Sequence, residues 1–134
     1  MPAPMSTTSD ALTRGVRVRV RSRYVPERSA PDKRRFFFAY HVTIANEGDE
    51  TVKLVSRHWI ITDGAGRTQQ VRGPGVVCEQ PHLAPGESFE YTSACPLTTE
   101  LGAMHGTYQM VTDDGEEFEA AIDPFTLACP NLLN

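Results

Sequence analysis

VRVRVRSRY, Val16 to Tyr24, decides the fold. Val16, Val18 and Val20 fall on one side of an extended chain and Arg17, Arg19, Arg21 and Arg23 on the other, the period-two signature of a strand with one buried face. Downstream, Pro26, Pro31 and a charged run make a loop, and FFFAYHVTIAN, Phe36 to Asn46, is a longer strand. Phe36, Phe38, Tyr40, Val42 and Ile44 share one face, while Phe37, Ala39, His41, Thr43 and Ala45 form a semi-polar second face. That pattern belongs near the middle of a sheet, whereas Val16–Tyr24, with charges all along one face, fits an early edge strand. Asn46-Glu-Gly48-Asp turns the chain into Val52 to Asp63, which carries the only tryptophan, Trp59. Asp63-Gly64 signals a hairpin into Thr68 to Val71. Pro85-Gly86 precedes Ser88 to Cys95, and Asp113-Asp114-Gly115 joins Gly106 to Val111 with Glu117 to Ile122; Phe125 to Leu127 extends that last strand beyond Pro124.

Seven or eight short strands result, and only Thr98 to Gly102 offers even one helical turn. The chain is therefore expected to be all-β, an antiparallel sandwich, with a small barrel as the alternative. The alternation places Val18, Val20, Phe38, Val42, Ile44, Trp59, Ile61, Phe89, Tyr91, Tyr108, Met110 and Ile122 in the core.

A chain of 134 residues holds one core of ordinary size. Pro2, Pro4 and a Ser/Thr cluster mark residues 1–13 as a disordered tail, leaving 14–134 as a single domain. No apolar run reaches the roughly 20 residues of a bilayer span, so no membrane contact is expected. MPAPMSTTSD lacks the basic and apolar regions of a secretory signal, which points to a cytoplasmic protein. In that compartment Cys78, Cys95 and Cys129 read as reduced thiols; their spacing matches neither a disulfide framework nor a zinc site.

The net charge of −4 is unevenly spread. All 13 Lys and Arg lie at or before Arg72, together with seven acids; the remainder carries ten acids and no base, so the halves hold +6 and −10. Such a split can mark an anion-binding face. The favoured expectation is compensation, with strands from the two halves alternating in the folded sheets.

Arg72 to Leu97, RGPGVVCEQPHLAPGESFEYTSACPL, specifies backbone shape more than a hydrophobic face. Together with SRHWIITDGAG (Ser56 to Gly66) and GTYQMVTDDGEEFEAAIDPFTL (Gly106 to Leu127) it resembles the ApaG family of small bacterial proteins, from about Thr13 to Pro130. The resemblance implies a fibronectin-III-like or immunoglobulin-like sandwich. It also implies interaction or recognition, since similar domains occur fused to eukaryotic F-box proteins. The family name is associated with magnesium and cobalt homeostasis and with neighbourhood to diadenosine-tetraphosphate hydrolases, and neither association assigns a ligand to a residue here.

The family's glycine pattern falls on Gly73-Pro74-Gly75-Val76-Val77-Cys78, with Cys78 in place of the third glycine. Arg72, Gly73 and Gly75 are the candidate phosphate loop, in which backbone amides would cradle the anion. The dinucleotide-binding version needs a strand before the glycines and a helix after them. Pro81 and Pro85 prevent that helix, so the preferred reading is a loop whose φ angles require glycine, with Gly75 at φ > 0. Val76 and Val77 would return this loop to the core. The arginine stripe lacks interleaved aromatics for base stacking, and with a pI near 5.5 no nucleic acid is expected as a partner. His41, His58, His82 and His105 have no ligand spacing, although His41 and His58 could neighbour one another across strands, and no metal ligand is assigned. Asp113, Asp114, Glu116, Glu117 and Glu119 resemble a cation-attracting patch, but Asp113-Asp114-Gly115 reads first as a turn. No catalytic residue is assigned: Cys78 beside Glu79 and His82 approaches a nucleophile–base pair, but the family usually has glycine at position 78.

The expected function is that of a non-enzymatic module, without cofactor, acting through an unidentified protein partner. The alternative is a regulator that binds a phosphorylated small molecule or a divalent cation. Because no cysteine pair is expected to be bridged, thermal unfolding with and without a reductant should give the same midpoint; a reductant-dependent fall of several degrees would contradict the assignment.

Overall fold

In a computed structural model, which describes residues 6–130, alternating burial lays the chain down as nine strands. They are β1 (Thr8–Thr13), β2 (Val16–Tyr24), β3 (Phe36–Asn46), β4 (Val52–Asp63), β5 (Thr68–Pro74), β6 (His82–Leu83), β7 (Ser88–Leu97), β8 (Leu101–Thr112) and β9 (Glu117–Ala128). Two single 3-10 turns, Pro26–Arg28 and Pro31–Lys33, sit in the loop between β2 and β3. One antiparallel sheet has the order β1-β2-β3-β7 and the other β5-β4-β8-β9, with β6 added beside β4. This is the two-layer antiparallel sandwich anticipated from the sequence. Among the described residues no helix is long and apolar enough to cross a membrane.

The inner faces meet as the alternation requires. Val16, Val18, Phe38, Val42 and Ile44 of the first sheet and Leu54, Tyr108, Met110, Ile122 and Leu127 of the second are at most 1% exposed. Each such side chain contributes about 1.5–3 kcal/mol through burial. Trp59 sits where the layers touch, with ring centroids 5.3 Å from Tyr40, 6.0 Å from Phe125 and 6.2 Å from Tyr108, all edge-on. Of the expected core, Phe89 alone is half-buried, because β7 is an edge strand.

Several expectations need correction. Thr8–Thr13 is not a disordered tail: it pairs with β2 over six residue pairs, from Thr8 opposite Arg21 to Thr13 opposite Val16. Residues 1–5 and 131–134 of the expected tail and domain lie outside the described residues. β2 is consequently an interior strand, not an edge. The polar TSDALT segment hid β1 because its inward positions, Ser9, Ala11 and Thr13, are only half-buried and small. Thr98–Glu100 is a bend that leads into β8, not a helical turn. The strand count rises from seven or eight to nine because β1 and the two-residue β6 carry no hydrophobic period of their own.

Two irregularities re-aim side chains. Between Leu54 and Ser56 the register of β4 against β8 shifts by one residue, leaving Val55 as a bulge. Val52 and Leu54 point inward before it, and Arg57, Trp59 and Ile61 fall on the inward side after it, a change of phase that strict alternation forbids. The ladder between β8 and β9 also shifts between Met104 and Gly106, which accommodates Asp123 and Pro124 in β9. At that point a Cβ on Gly106 would overlap the His58 carbonyl oxygen. Gly106→Ala should therefore destabilise the fold by about 1–3 kcal/mol or more, seen as a lower midpoint in denaturant unfolding; an unchanged midpoint would show that the strands can separate there at no cost.

A cleft between the sheets at the β4 bulge

The extra residue in β4 places Arg57 on the inner side of its sheet, at the mouth of the space between the layers. Its guanidinium lies against Gly73, the residue opposite it in β5. A Cβ on Gly73 would stand 2.9 Å from Nη2 and 3.1 Å from both Cζ and Nη1, so glycine is what lets the side chain lie flat there. Nη1 donates to the carbonyl oxygens of Pro74 and Gly75, each at 2.9 Å.

The Val55 carbonyl anchors the chain beyond β5, accepting hydrogen bonds from the Gly75 N–H at 2.9 Å and from Gln80 Nε2 at 2.8 Å. Gly75 has φ +58°, as the sequence implied, and a Cβ on it would overlap the Glu79 oxygen. Val76 and Glu79 exchange reciprocal N–H···O bonds of 2.8 Å, closing a two-residue turn over Val77 and Cys78. Both central residues are left-handed, at φ +42° and +68°, as in a type I′ hairpin. Asn-Gly is the unstrained choice for such a turn. A β-branched residue there costs about 1–2 kcal/mol.

These groups border a cleft of about 380 Å³ whose walls are Arg57, Trp59, the Pro74–Cys78 turn, and Tyr40, Tyr91 and Ser93 of the opposite sheet. Tyr91 and Tyr108 share a hydroxyl–hydroxyl hydrogen bond of 2.5 Å behind the wall. Burial raises the pKa of the Tyr40 phenol, partly offset by the Ser93 hydroxyl, and burial likewise raises that of Tyr91, offset by Tyr108. Burial pushes the Cys95 thiol to about 11, so it stays protonated near neutrality.

The structure does not bring the residues of the candidate phosphate loop together on one face. Arg72 pairs with His58 in the ladder and is exposed on the outer face of β5, away from the cleft. The Gly75 and Val76 amides are already bonded within the protein, and the loop offers its carbonyls to Arg57 instead. Val76 is fully buried, but Val77 is 49% exposed and does not return to the core. Sequence reasoning missed Arg57, because only the bulge at Val55 turns it inward.

The remaining candidates are scattered. His41 and His58 lie in different sheets and are not neighbours: His41 Nδ1 meets Thr92 Oγ1 and His58 Nε2 meets Gln70 Oε1, each at 2.9 Å. His82 Nε2 meets Asp113 Oδ1 at 3.1 Å. Among the described residues no three His, Cys, Asp or Glu side chains could hold a metal ion together. All three cysteines are free.

Strands from the two charged halves adjoin in both sheets, β7 beside β3 and β8 beside β4, but among the described residues only one arginine forms an ion pair across the halves. Arg14 bonds Glu116 at 2.9 Å, and this contact raises the arginine pKa. Arg17 pairs with Asp10 and Glu47, Arg19 with Asp10, and Arg67 with Asp63, all within the basic half. Arg17 chiefly holds the Asp10 carboxyl below its ordinary range.

The strained turn gives a two-sided expectation. Gly75→Val should lower the unfolding midpoint, whereas Val77→Asn combined with Cys78→Gly should raise stability by about 1–2 kcal/mol in denaturant unfolding. A double variant no more stable than the parent would show that the turn holds no strain.

Comparison with known proteins fits this geometry. Residues 26–112 match the family described as the ApaG domain. Protein ApaG of Afipia carboxidovorans is 55% identical over 91% of this chain and 94% of its own length. Protein ApaG of Rhodopseudomonas palustris is 58% identical over 90% of this chain and 92% of its own. The solved structure of an ApaA protein from Bordetella pertussis is 50% identical and superposes with a TM-score of 0.85, covering 95% of this chain and 98% of that one. The C-terminal domain of wzt, 10% identical with a TM-score of 0.52 over 90% of this chain and 77% of that one, shares the fold alone. By family match, by identity along nearly the whole chain and by the shape of the sandwich, the chain belongs to the ApaG family.

Proposed function

We propose that the protein is a non-enzymatic sandwich module that works by binding a protein partner through the edge formed by the Val76–Glu79 turn and the cleft beneath it. The observation that supports this most is Val77. It is an apolar, β-branched side chain, 49% exposed, held out at the tip of a turn whose φ of +42° opposes it. Strain persists where the surrounding structure over-determines it, and it clusters at binding and switch sites.

The groups next to the cleft suit recognition better than chemistry. Its tyrosines and the nearby Cys95 have pKa values raised by burial, the opposite of what an activated nucleophile needs. A phosphorylated ligand, the alternative, would call for a second cation beside Arg57, and Arg72 is on the other face. A divalent-cation role for the Asp113–Glu119 region competes with Arg14 at Glu116 and His82 at Asp113.

Capture from an extract of the source cells, with the intact protein as bait and mass analysis of retained species, tests the proposal. A protein should be retained by the parent and lost with Val77→Asp although the unfolding midpoint is not lowered. Retention indifferent to that substitution, or retention of small molecules alone, would overturn it.

A further inference from the structure

Resting on the interaction reading above, we infer that Arg57 is a carboxylate receptor: the cleft takes one acidic group of the partner, either an Asp or Glu side chain or a chain-terminal carboxylate. A guanidinium has five N–H donors in a rigid plane. Two of them, on Nη1, are fixed by the Pro74 and Gly75 carbonyls at 2.9 Å. Nε–H and the two Nη2–H groups have no acceptor among the described residues, and no acid among them lies within salt-bridge distance of Arg57. Arg14, Arg17, Arg19 and Arg67 have carboxylate partners, and the arginines that share Arg57's lack of one, among them Arg21, Arg23 and Arg72, are exposed, whereas Arg57 is half-buried. The Nε–Nη2 edge is the one a carboxylate grips with two parallel bonds, and Gly73 and the two carbonyls hold the plane in place for it.

The surroundings select one negative charge. Half-burial of Arg57 against Trp59 and Tyr91 strengthens a charged hydrogen bond, because less water competes there. Ser93 supplies a hydroxyl on the opposite wall. One guanidinium balances one carboxylate, while a pyrophosphate would bring two or more charges to a single cation. Pro74 and exposed Val77 form an apolar lip over which the residue adjoining the acid would lie.

The test uses the full chain and five probes: acetyl-Phe-Glu-Phe-amide, acetyl-Phe-Gln-Phe-amide, acetyl-Phe-Phe with a free carboxyl end, its amide, and inorganic pyrophosphate. Binding is read from the fluorescence of Trp59, the only tryptophan, and from the Arg57 Nε–Hε resonance. At least one carboxylate peptide should bind saturably, and its uncharged mate should bind roughly tenfold or more weakly. The glutamyl and free-terminus probes tell the two carboxylate sources apart. Arg57→Gln should remove the difference between mates, Arg57→Lys should weaken it by removing the two-donor edge, and Arg72→Ala should leave it intact. If Arg57→Gln fails to fold, the comparison of mates on the parent and the Arg57→Lys variant decide. Equal response to charged and uncharged mates, no response to any probe, or pyrophosphate binding that depends on Arg72 would each overturn the inference. Partner capture lost with Val77→Asp but kept with Arg57→Gln would overturn the carboxylate site and leave the interaction reading standing. Carboxylate binding at Arg57 without a Val77-dependent partner would do the reverse.

Discussion

One inserted residue, Val55, governs the functional end of this molecule. Without it, β4 would keep the phase set by Val52 and Leu54, and Trp59 would face solvent. With it, Trp59 enters the space between the sheets and packs edge-on against Tyr40, Tyr108 and Phe125. The same half-turn brings Arg57 to the mouth of that space. The displaced Val55 carbonyl then accepts the Gly75 N–H and the Gln80 amide, so the bulge also fixes the turn that roofs the cleft. Core, cation and turn are thus consequences of a single change of register.

The glycines follow from that cation. Gly73 is small so that a guanidinium can rest on it, and Gly75 is left-handed so that the chain can double back under Glu79. A phosphate-binding loop would present amide hydrogens outward. Here the amides turn inward to the protein and the carbonyls face Arg57, which reverses the polarity that the glycine letters alone suggest. Similar spacing of glycines therefore serves opposite electrostatic purposes, depending on which side chain the neighbouring strand supplies.

Few ion pairs join the two charged halves of the chain, although their strands adjoin in both sheets. β1 neutralises Arg17 and Arg19 through Asp10, a local solution within the basic half, whereas Arg21 and Arg23 at the far end of the same strand form no ion pair among the described residues. Among those residues, opposite charges meet across the two halves through arginine only at Arg14 and Glu116, where the β1–β2 turn approaches the β8–β9 turn.

The sequence by itself determined the layers and the core. Period-two alternation is a local property, and wherever a strand had one apolar face, as in Val16–Tyr24 and Phe36–Asn46, its burial followed. Asp63-Gly64 and Asp113-Asp114-Gly115 marked turns by composition alone, and Gly75 betrayed its left-handed φ through Pro74 and its neighbours. The polar strand β1 was not legible, because its stability comes from hydrogen bonds to β2 and not from a hydrophobic face. The inward turn of Arg57 was not legible either. A bulge is decided by the register against β8, a pairing some fifty residues away in the chain, so no local pattern records it. Only the assembled sheet settles which of Arg57 and Arg72 meets the cleft, and the two lie on opposite faces for that reason.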